Sequence, residues 1–121
     1  MSFQYQQSTG ILTHDGEELA SGYSGNGAGV NNAAMQNVHA VGPIPQGVYT
    51  ITAPYHNDKT GPYTMNLIPD PANEMYGRAD FRLHGDNQEM NHTASEGCII
   101  MPRAVRESVW DSGDRSLEVI A

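Results

Sequence analysis

Glycines and prolines are so frequent in this chain that long helices and long strands are not expected. Thirteen glycines and seven prolines interrupt 121 residues, and both residue types favour turns over the interiors of helices and strands. Several of the segments between them are short and rich in β-branched and aromatic residues, which favours strands. The sequence therefore predicts one mainly-β domain over residues 1–121, a length that suits a single hydrophobic core.

Short alternating or apolar segments mark the predicted strands, and one amphipathic segment marks a helix. Asp15-Gly16 is a strong hairpin signal between two of these strands. Pro102 suits the first turn of a helix, and Val105 and Val109 follow one turn apart. The predicted strands are 3–5, 11–14, 18–23, 48–51, 63–68, 81–84, 98–101 and 117–120, the predicted helix is 103–111, and the predicted loops include 22–29, 53–62, 69–77 and 85–97.

The acidic balance of the chain excludes two classes of partner. The formal net charge is −8 at pH 7, so nucleic-acid phosphates would be repelled and a polybasic membrane anchor is not expected. No segment has the roughly 20 apolar residues of a membrane-spanning helix, and the first ten residues lack the features of a secretory signal. The sequence therefore predicts a protein made in the cytoplasm without a signal peptide, with no nucleic acid and no membrane insertion.

Cys98 is the single cysteine, and its neighbourhood is typical of a nucleophile. The turn-forming residues Ser95-Glu96-Gly97 place it at the start of a strand near the surface. A thiol attacks as its thiolate and needs a base, for which the imidazole of His84 at the end of the preceding strand is suited. From these residues alone, a Cys98–His84 site and a buried cysteine that only fills the core both stay open.

The backbone next to Cys98 suits nucleophilic chemistry as well. Gly97 allows a substrate carbonyl to come close to the main chain. The N–H groups of Gly97 and Cys98 can then point at the oxyanion that develops during attack.

Two sets of motifs resemble known families. His84-Gly85 followed by Ser95-Glu96-Gly97-Cys98-Ile99 resembles the YkuD-type L,D-transpeptidases, in which a histidine precedes a Ser/Thr-x-Gly-Cys block. Segments 23–25, 41–49, 73–78 and 83–86 resemble the Tlde1 group of L,D-transpeptidase-like toxins, which type VI secretion systems deliver. The resemblance implies a YkuD-like β-sandwich or barrel with one short helix in the C-terminal half.

The resemblance also implies a reaction. Cys98 would attack the L-centre carbonyl in an L,D-peptide bond of a peptidoglycan tetrapeptide stem, while His84 takes the thiol proton and returns it to the leaving D-Ala. Water would make the enzyme an L,D-carboxypeptidase, whereas an amine would make it a transpeptidase or exchange D-amino acids. An acceptor that orients His84 is expected, and the candidates are Ser95, Asp86 and a backbone carbonyl. Gly85 is a further candidate for an oxyanion or orienting role.

Two departures from the YkuD pattern leave the substrate contacts open. Glu96 stands where a second histidine is common, and Ile100 stands where an arginine or asparagine often follows. A cation elsewhere could bind a stem-peptide carboxylate, and Arg82 is the first candidate because strand alternation puts it on the face of His84. Further candidates for substrate contacts are Arg78, Arg103 and Tyr23.

Metal and cofactor motifs are missing from the sequence. The histidines at 14, 39, 56 and 92 show no zinc-like spacing with Cys98, although His92 shares its loop, and HExxH is missing. The glycine-rich segment 22–29 lacks the GxxxxGK[ST] pattern of a phosphate-binding loop. We therefore expect neither a cofactor nor a metal.

Delivery and partners follow from the resemblance alone. It implies secretion into the periplasm of a target bacterium, with a cognate immunity protein and a secretion-system component as partners and stem peptides as substrate. The alternatives are a phage or bacterial cysteine amidase or endopeptidase that lyses the cell wall, and a non-enzymatic module that binds it.

Overall fold

The computed structural model describes residues 2–85 and 97–121. Within these ranges the chain is mainly β with a single α-helix in its C-terminal part, so the predicted fold class is confirmed. The strands are β1 (Phe3–Gln6), β2 (Ile11–His14), β3 (Glu17–Ser21), β4 (Tyr23–Ser24), β5 (Gly47–Ile51), β6 (Tyr55–Asn57), β7 (Gly61–Pro69), β8 (Arg82–His84), β9 (Ile99–Ile100) and β10 (Ser116–Ile120). The helices are α1 (Arg103–Asp111) and two short 3-10 helices at Gly27–Gly29 and Ala33–Met35.

The described strands form one sheet in the order β3-β2-β1-β10-β5-β7-β8-β9-β4, and β6 pairs with β7 outside this path. Most neighbours are antiparallel, but β1 is parallel to β10 and β8 is parallel to β9. The first parallel pair joins the two ends of the chain, since Phe3 lies opposite Leu117. The second parallel pair positions the candidate site, because β8 ends at His84 and β9 begins just after Cys98.

The hydrophobic core fixes the orientation of β8 and β9. Leu83 and Ile99 lie opposite each other in the parallel register and expose only 3% and 1% of their surface. Burial of a side chain of this size contributes about 1.5–3 kcal/mol. Because side chains alternate along a strand, the residues on either side of Leu83 and Ile99 point to the opposite face.

Several predicted boundaries agree closely with the structure, and two predictions are wrong. The helix 103–111 and the strand 11–14 have the predicted bounds. The predicted strand 18–23 is instead two strands that separate at Gly22, where a Cβ would overlap the carbonyl oxygen of Ile100 on β9. The predicted loop 53–62 contains β6, which pairs with β7.

The glycine-rich segment 22–29 is also not the surface loop that its composition predicts. It begins with β4, whose residues Tyr23 and Ser24 expose 5% and 0% of their surface. These two residues pair with Ile100 and Ile99 of β9, so the segment packs beside the candidate site.

Candidate active site

The parallel pairing of β8 with β9 places His84 and Cys98 on neighbouring strands. His84 lies opposite Ile100, and continuing this register back by two residues sets Arg82 level with Cys98. Side chains two residues apart share a face, so these four side chains lie on the face opposite the core. His84 and Cys98 are therefore diagonal neighbours, a separation that long or aromatic side chains can span.

The imidazole of His84 is buried, with 2% of the residue exposed. Its Nδ1 atom lies 2.8 Å from the carbonyl oxygen of Gly85, and a carbonyl oxygen can only accept a hydrogen bond. In the neutral ring Nδ1 therefore carries the proton, which leaves Nε2 with the lone pair that a base needs. The Gly85 carbonyl is the orienting acceptor seen in the structure, and the other two candidates, Ser95 and Asp86, lie outside the described residues.

Arg106 of α1 packs against the backbone next to His84 and stabilises it. Only 6% of the residue is exposed, and its Nη1 donates to the carbonyls of Pro62 and Tyr63 at 2.9 and 2.8 Å. A Cβ added at Gly85 would lie 2.8 Å from its Nη2, so the guanidinium packs directly against the residue that orients His84.

The same arginine also fixes the end of β9. Its Nε donates to the carbonyl of Met101 at 3.1 Å, and the Met101 amide donates to the carbonyl of His84 at 3.0 Å. Burial lowers the pKa of Arg106, and repulsion by Arg103 acts in the same direction. Sequence reasoning missed Arg106, although its position three residues before the buried Val109 placed it on the inner side of α1.

Ser24 holds the peptide that precedes the cysteine. Its hydroxyl donates to the carbonyl of Gly97 at 3.0 Å and accepts from the amide of Ile44 at 2.8 Å. Both contacts are fully buried, and a buried polar group is costly to leave unpaired. Sequence reasoning missed Ser24 because the glycines around it suggested an exposed loop.

Gly97 has the conformation and the surroundings that only glycine tolerates. Its φ is 126°, which L side chains rarely adopt. A Cβ at this position would clash with Nη2 of Arg78 and would lie 3.0 Å from the ring of Phe81. Cys98, which follows, is half-buried, and its Sγ lies 3.9 Å from the carbonyl oxygen of Asp80.

Arg78 is a buried cation behind this glycine. It is 6% exposed, and its guanidinium donates to the main-chain carbonyls of Gln36, Gly42 and Pro43. Burial lowers its pKa, while attraction to Tyr49 and Cys98 opposes this effect. These contacts favour an internal electrostatic role over the predicted contact with substrate.

Arg82 is half-exposed and lies on the face of the cysteine, where strand alternation predicted it. Its Nε donates to the hydroxyl of Tyr55 and its Nη1 to the carbonyl of Asp80, both at 3.3 Å. The hydrogen bond to Tyr55 raises the pKa of Arg82, and attraction to Tyr55, Cys98 and Asp80 adds to this effect.

The two remaining candidates for substrate contacts differ in position. Tyr23 lies opposite Ile100 and so shares the face of His84, but the protein covers 95% of it. Arg103 lies at the start of α1, where its Nε is 3.3 Å from Glu107 and its guanidinium lies 4.9 Å from the ring centre of Tyr63.

One group of described residues has the spacing of metal ligands. The ligand atoms of His14, Asp15 and Asp114 lie within 4.8 Å of one another. Nε2 of His14 is 3.0 Å from Asp114, and the imidazole stacks on Phe3 with ring centres 4.1 Å apart. A histidine–aspartate hydrogen bond accounts for this arrangement. His92 lies outside the described residues.

Comparison with known proteins places this site in a wider context. The catalytic domain of an L,D-transpeptidase from E. faecium, solved by NMR, is similar in structure with 15% sequence identity and a TM-score of 0.48. That match covers 98% of this chain and 95% of the other. None of the curated proteins compared with the chain matches it significantly. In the described part of the chain, α1 and the short 3-10 helices all fall short of what a membrane span requires.

The Tlde1 domain model matches residues 18–119. This range includes His84, Cys98 and every strand from β4 to β9. The chain therefore belongs to the Tlde1 domain family of type VI secretion effectors, a family of peptidoglycan-related enzymes or toxins.

Proposed function

We propose that the protein is a cysteine enzyme that cleaves the L,D-peptide bond of peptidoglycan tetrapeptide stems. The observation that carries this proposal is the hydrogen bond from Nδ1 of His84 to the carbonyl of Gly85. His84 ends β8, which pairs with the strand that begins just after Cys98. In the neutral ring this hydrogen bond puts the lone pair on Nε2, which can then accept a proton, and His84 lies on the same face as the thiol. Membership of the Tlde1 family supports the cell wall as the substrate.

The reaction follows the general course of nucleophilic catalysis by cysteine. Nε2 of His84 takes the thiol proton while Sγ of Cys98 forms a bond to the carbonyl carbon of the L-centre. The resulting oxyanion would be held by the N–H groups of Gly97 and Cys98. Collapse breaks the C–N bond, and the imidazolium returns its proton to the departing amine of D-Ala.

A thioester between Cys98 and the tripeptide stem remains after this step. If water attacks it, His84 accepts a proton from the water, the C–S bond breaks and a tripeptide stem is released. If the amine of another D-amino acid attacks instead, the same bond breaks and an exchanged stem is formed. The enzyme thus acts as an L,D-carboxypeptidase, as a transpeptidase, or as both.

Delivery belongs to the same proposal. A type VI effector of this kind would act in the periplasm of a target bacterium, where stem peptides are exposed. The producing cell would then need a cognate immunity protein, and a component of the secretion system would carry the enzyme. Expression in a host with and without an added periplasmic signal tests this placement, because toxicity should require the signal.

Digestion of purified muropeptides tests the reaction. We expect tetrapeptides to lose D-Ala in the presence of the wild-type protein and to stay intact with Cys98→Ala. Release of whole stems from the glycan would instead indicate an amidase, and internal cleavage of the stem would indicate another endopeptidase. Biological activity that survives Cys98→Ala would indicate a non-enzymatic binding module.

A further inference from the structure

We propose that Arg82, held in place by Tyr55, forms a subsite for the free carboxylate of the amino acid that leaves during the reaction. The inference rests on the proposed function for the identity of the leaving group. The subsite itself depends on a hydrogen-bond network on β6, β7 and β8, which the sequence did not predict.

Tyr55 is the centre of this network. Its hydroxyl donates to Oδ1 of Asn66 at 2.8 Å and accepts from Nε of Arg82 and from Nδ2 of Asn57, each at 3.3 Å. A phenol has one proton to donate and two lone pairs, so all of its capacity is used. Burial acts to raise the pKa of Tyr55, but the hydrogen bonds from Asn57 and Arg82 outweigh this effect and lower it.

The network orients the guanidinium of Arg82. Tyr55 binds Nε and the carbonyl of Asp80 binds Nη1, while Nη2 donates to no residue in the described part of the chain. An arginine fixed on one side presents its other nitrogens at little further entropic cost. Because Arg82 is half-exposed, a carboxylate arriving from solvent can bind these nitrogens with a charge-assisted hydrogen bond.

The position of Arg82 relative to the cysteine determines which part of a substrate it can reach. The β8–β9 register sets it level with Cys98 on the same face, and the carbonyl of Asp80 contacts both Nη1 of Arg82 and Sγ of Cys98. A carboxylate bound here therefore belongs to a residue at the scissile bond and not to a distant part of the stem.

A shallow depression lies beside Arg82. It has a volume of about 250 Å³, which is below the roughly 300–1,000 Å³ of sites for drug-sized ligands. Asn66, Asp80 and Arg82 form its polar side, and Ile68 and Pro69 contribute apolar surface. The depression leaves room beside Arg82 for a small terminal residue.

Binding of matched peptides to the Cys98→Ala protein tests the subsite without turnover. The probes are a tetrapeptide stem with a free C-terminal carboxylate and the same peptide with a C-terminal amide, compared by isothermal titration calorimetry. A charge-assisted hydrogen bond predicts about tenfold tighter binding of the acid. Adding Arg82→Gln should remove this preference. Adding Tyr55→Phe should weaken binding of the acid several-fold and leave binding of the amide unchanged.

Arg115→Gln in the same background is the matched control, because it removes another half-exposed arginine, which lies over the ring of Trp110, and should keep the preference for the acid. Equal affinity for acid and amide would overturn the proposal, as would no measurable binding of the acid. A preference that survives Arg82→Gln or disappears with Arg115→Gln would also overturn it. If Tyr55→Phe has no effect, Tyr55 does not position Arg82. A preference for the acid that depends on Arg82, together with no release of D-Ala by the wild-type protein, would support the carboxylate site and contradict the proposed reaction.

Discussion

The imidazole of His84 donates from Nδ1 to the carbonyl oxygen of Gly85 at 2.8 Å. The acceptor belongs to the next residue of the chain, so the ring is oriented by its own backbone and not by a distant carboxylate. Arg106 packs against Gly85, which limits movement of this peptide. The orientation and the tautomer of His84 are therefore set by β8 and α1 together.

Replacement of His84 tests its role as the base. His84→Gln removes a group that can take the thiol proton, and general-base catalysis contributes about 10²–10⁴-fold. We expect release of D-Ala from tetrapeptides to fall by at least about 100-fold, measured by chromatography of muropeptide digests. His39→Gln is the control. Nε2 of His39 contacts the carbonyl of Tyr76 and has no proposed part in the reaction, so this variant should leave the rate unchanged. Wild-type turnover by His84→Gln would contradict the assignment.

The buried guanidinium of Arg78 should favour the thiolate of Cys98. A nearby cation stabilises an anion, so a neutral Arg78→Met variant should form its thiolate only at higher pH. The pH midpoint of Cys98 alkylation by iodoacetamide should therefore move upward, while Arg78→Lys should keep a midpoint closer to that of the wild type. Circular dichroism and Tm identify any variant that fails to fold. An unchanged midpoint in folded Arg78→Met would exclude this electrostatic role.

Ser24 should contribute to both stability and activity. Ser24→Ala leaves the Gly97 carbonyl and the Ile44 amide without this hydroxyl, and a buried unpaired group costs about 1–3 kcal/mol. We expect the free energy of unfolding in urea to fall by about that amount, with a lower kcat because the peptide before Cys98 is less well fixed. Ser8→Ala, which removes an exposed hydroxyl near Ala121, should change neither quantity. A Ser24→Ala protein as stable as Ser8→Ala would refute the interpretation.

The hydrogen bond between His14 and Asp114 predicts that the stability of the fold depends on pH in the acid range. Burial acts to raise the pKa of Asp114, but hydrogen bonds from the Ser116 amide and from His14 outweigh it and lower the pKa below its ordinary 3.8. The carboxylate therefore stabilises the fold above that value, and this contribution is lost as the pH falls through the lower pKa of the folded state.

Asp114→Asn should accordingly be less stable than the wild type at neutral pH, and the difference should narrow towards about pH 2. The measurement is Tm across this range. Asp111→Asn, which changes an exposed carboxylate at the end of α1, should follow the wild-type curve. A difference between Asp114→Asn and wild type that stays constant with pH would contradict the sign of the shift.

Local patterns in the sequence were sufficient to predict the elements that pack on the core. The helix α1 has its apolar residues one turn apart, and β2 ends at the hairpin signal Asp15-Gly16, so both were predicted with the correct bounds. β6 was missed because Tyr55, His56 and Asn57 show no apolar alternation. This strand is paired through its backbone to β7 and through the side-chain contact of Tyr55 with Asn66.

The supporting residues of the candidate site were harder to predict than its two central residues. Cys98 and His84 stand in a recognisable motif, whereas Ser24, Arg78 and Arg106 act through contacts with distant carbonyls and amides. A serine among glycines and an arginine on a helix usually face solvent. Only the fold shows that these three are buried, so their roles could not follow from local sequence.

The most direct test of the central claim is the mass of the intact protein after brief mixing with a tetrapeptide stem and quenching in acid. We expect an adduct equal in mass to the tripeptide acyl group, attached to Cys98 and missing from Cys98→Ala. Release of D-Ala by Cys98→Ala, or an adduct on another residue, would contradict the assignment of Cys98 as the nucleophile.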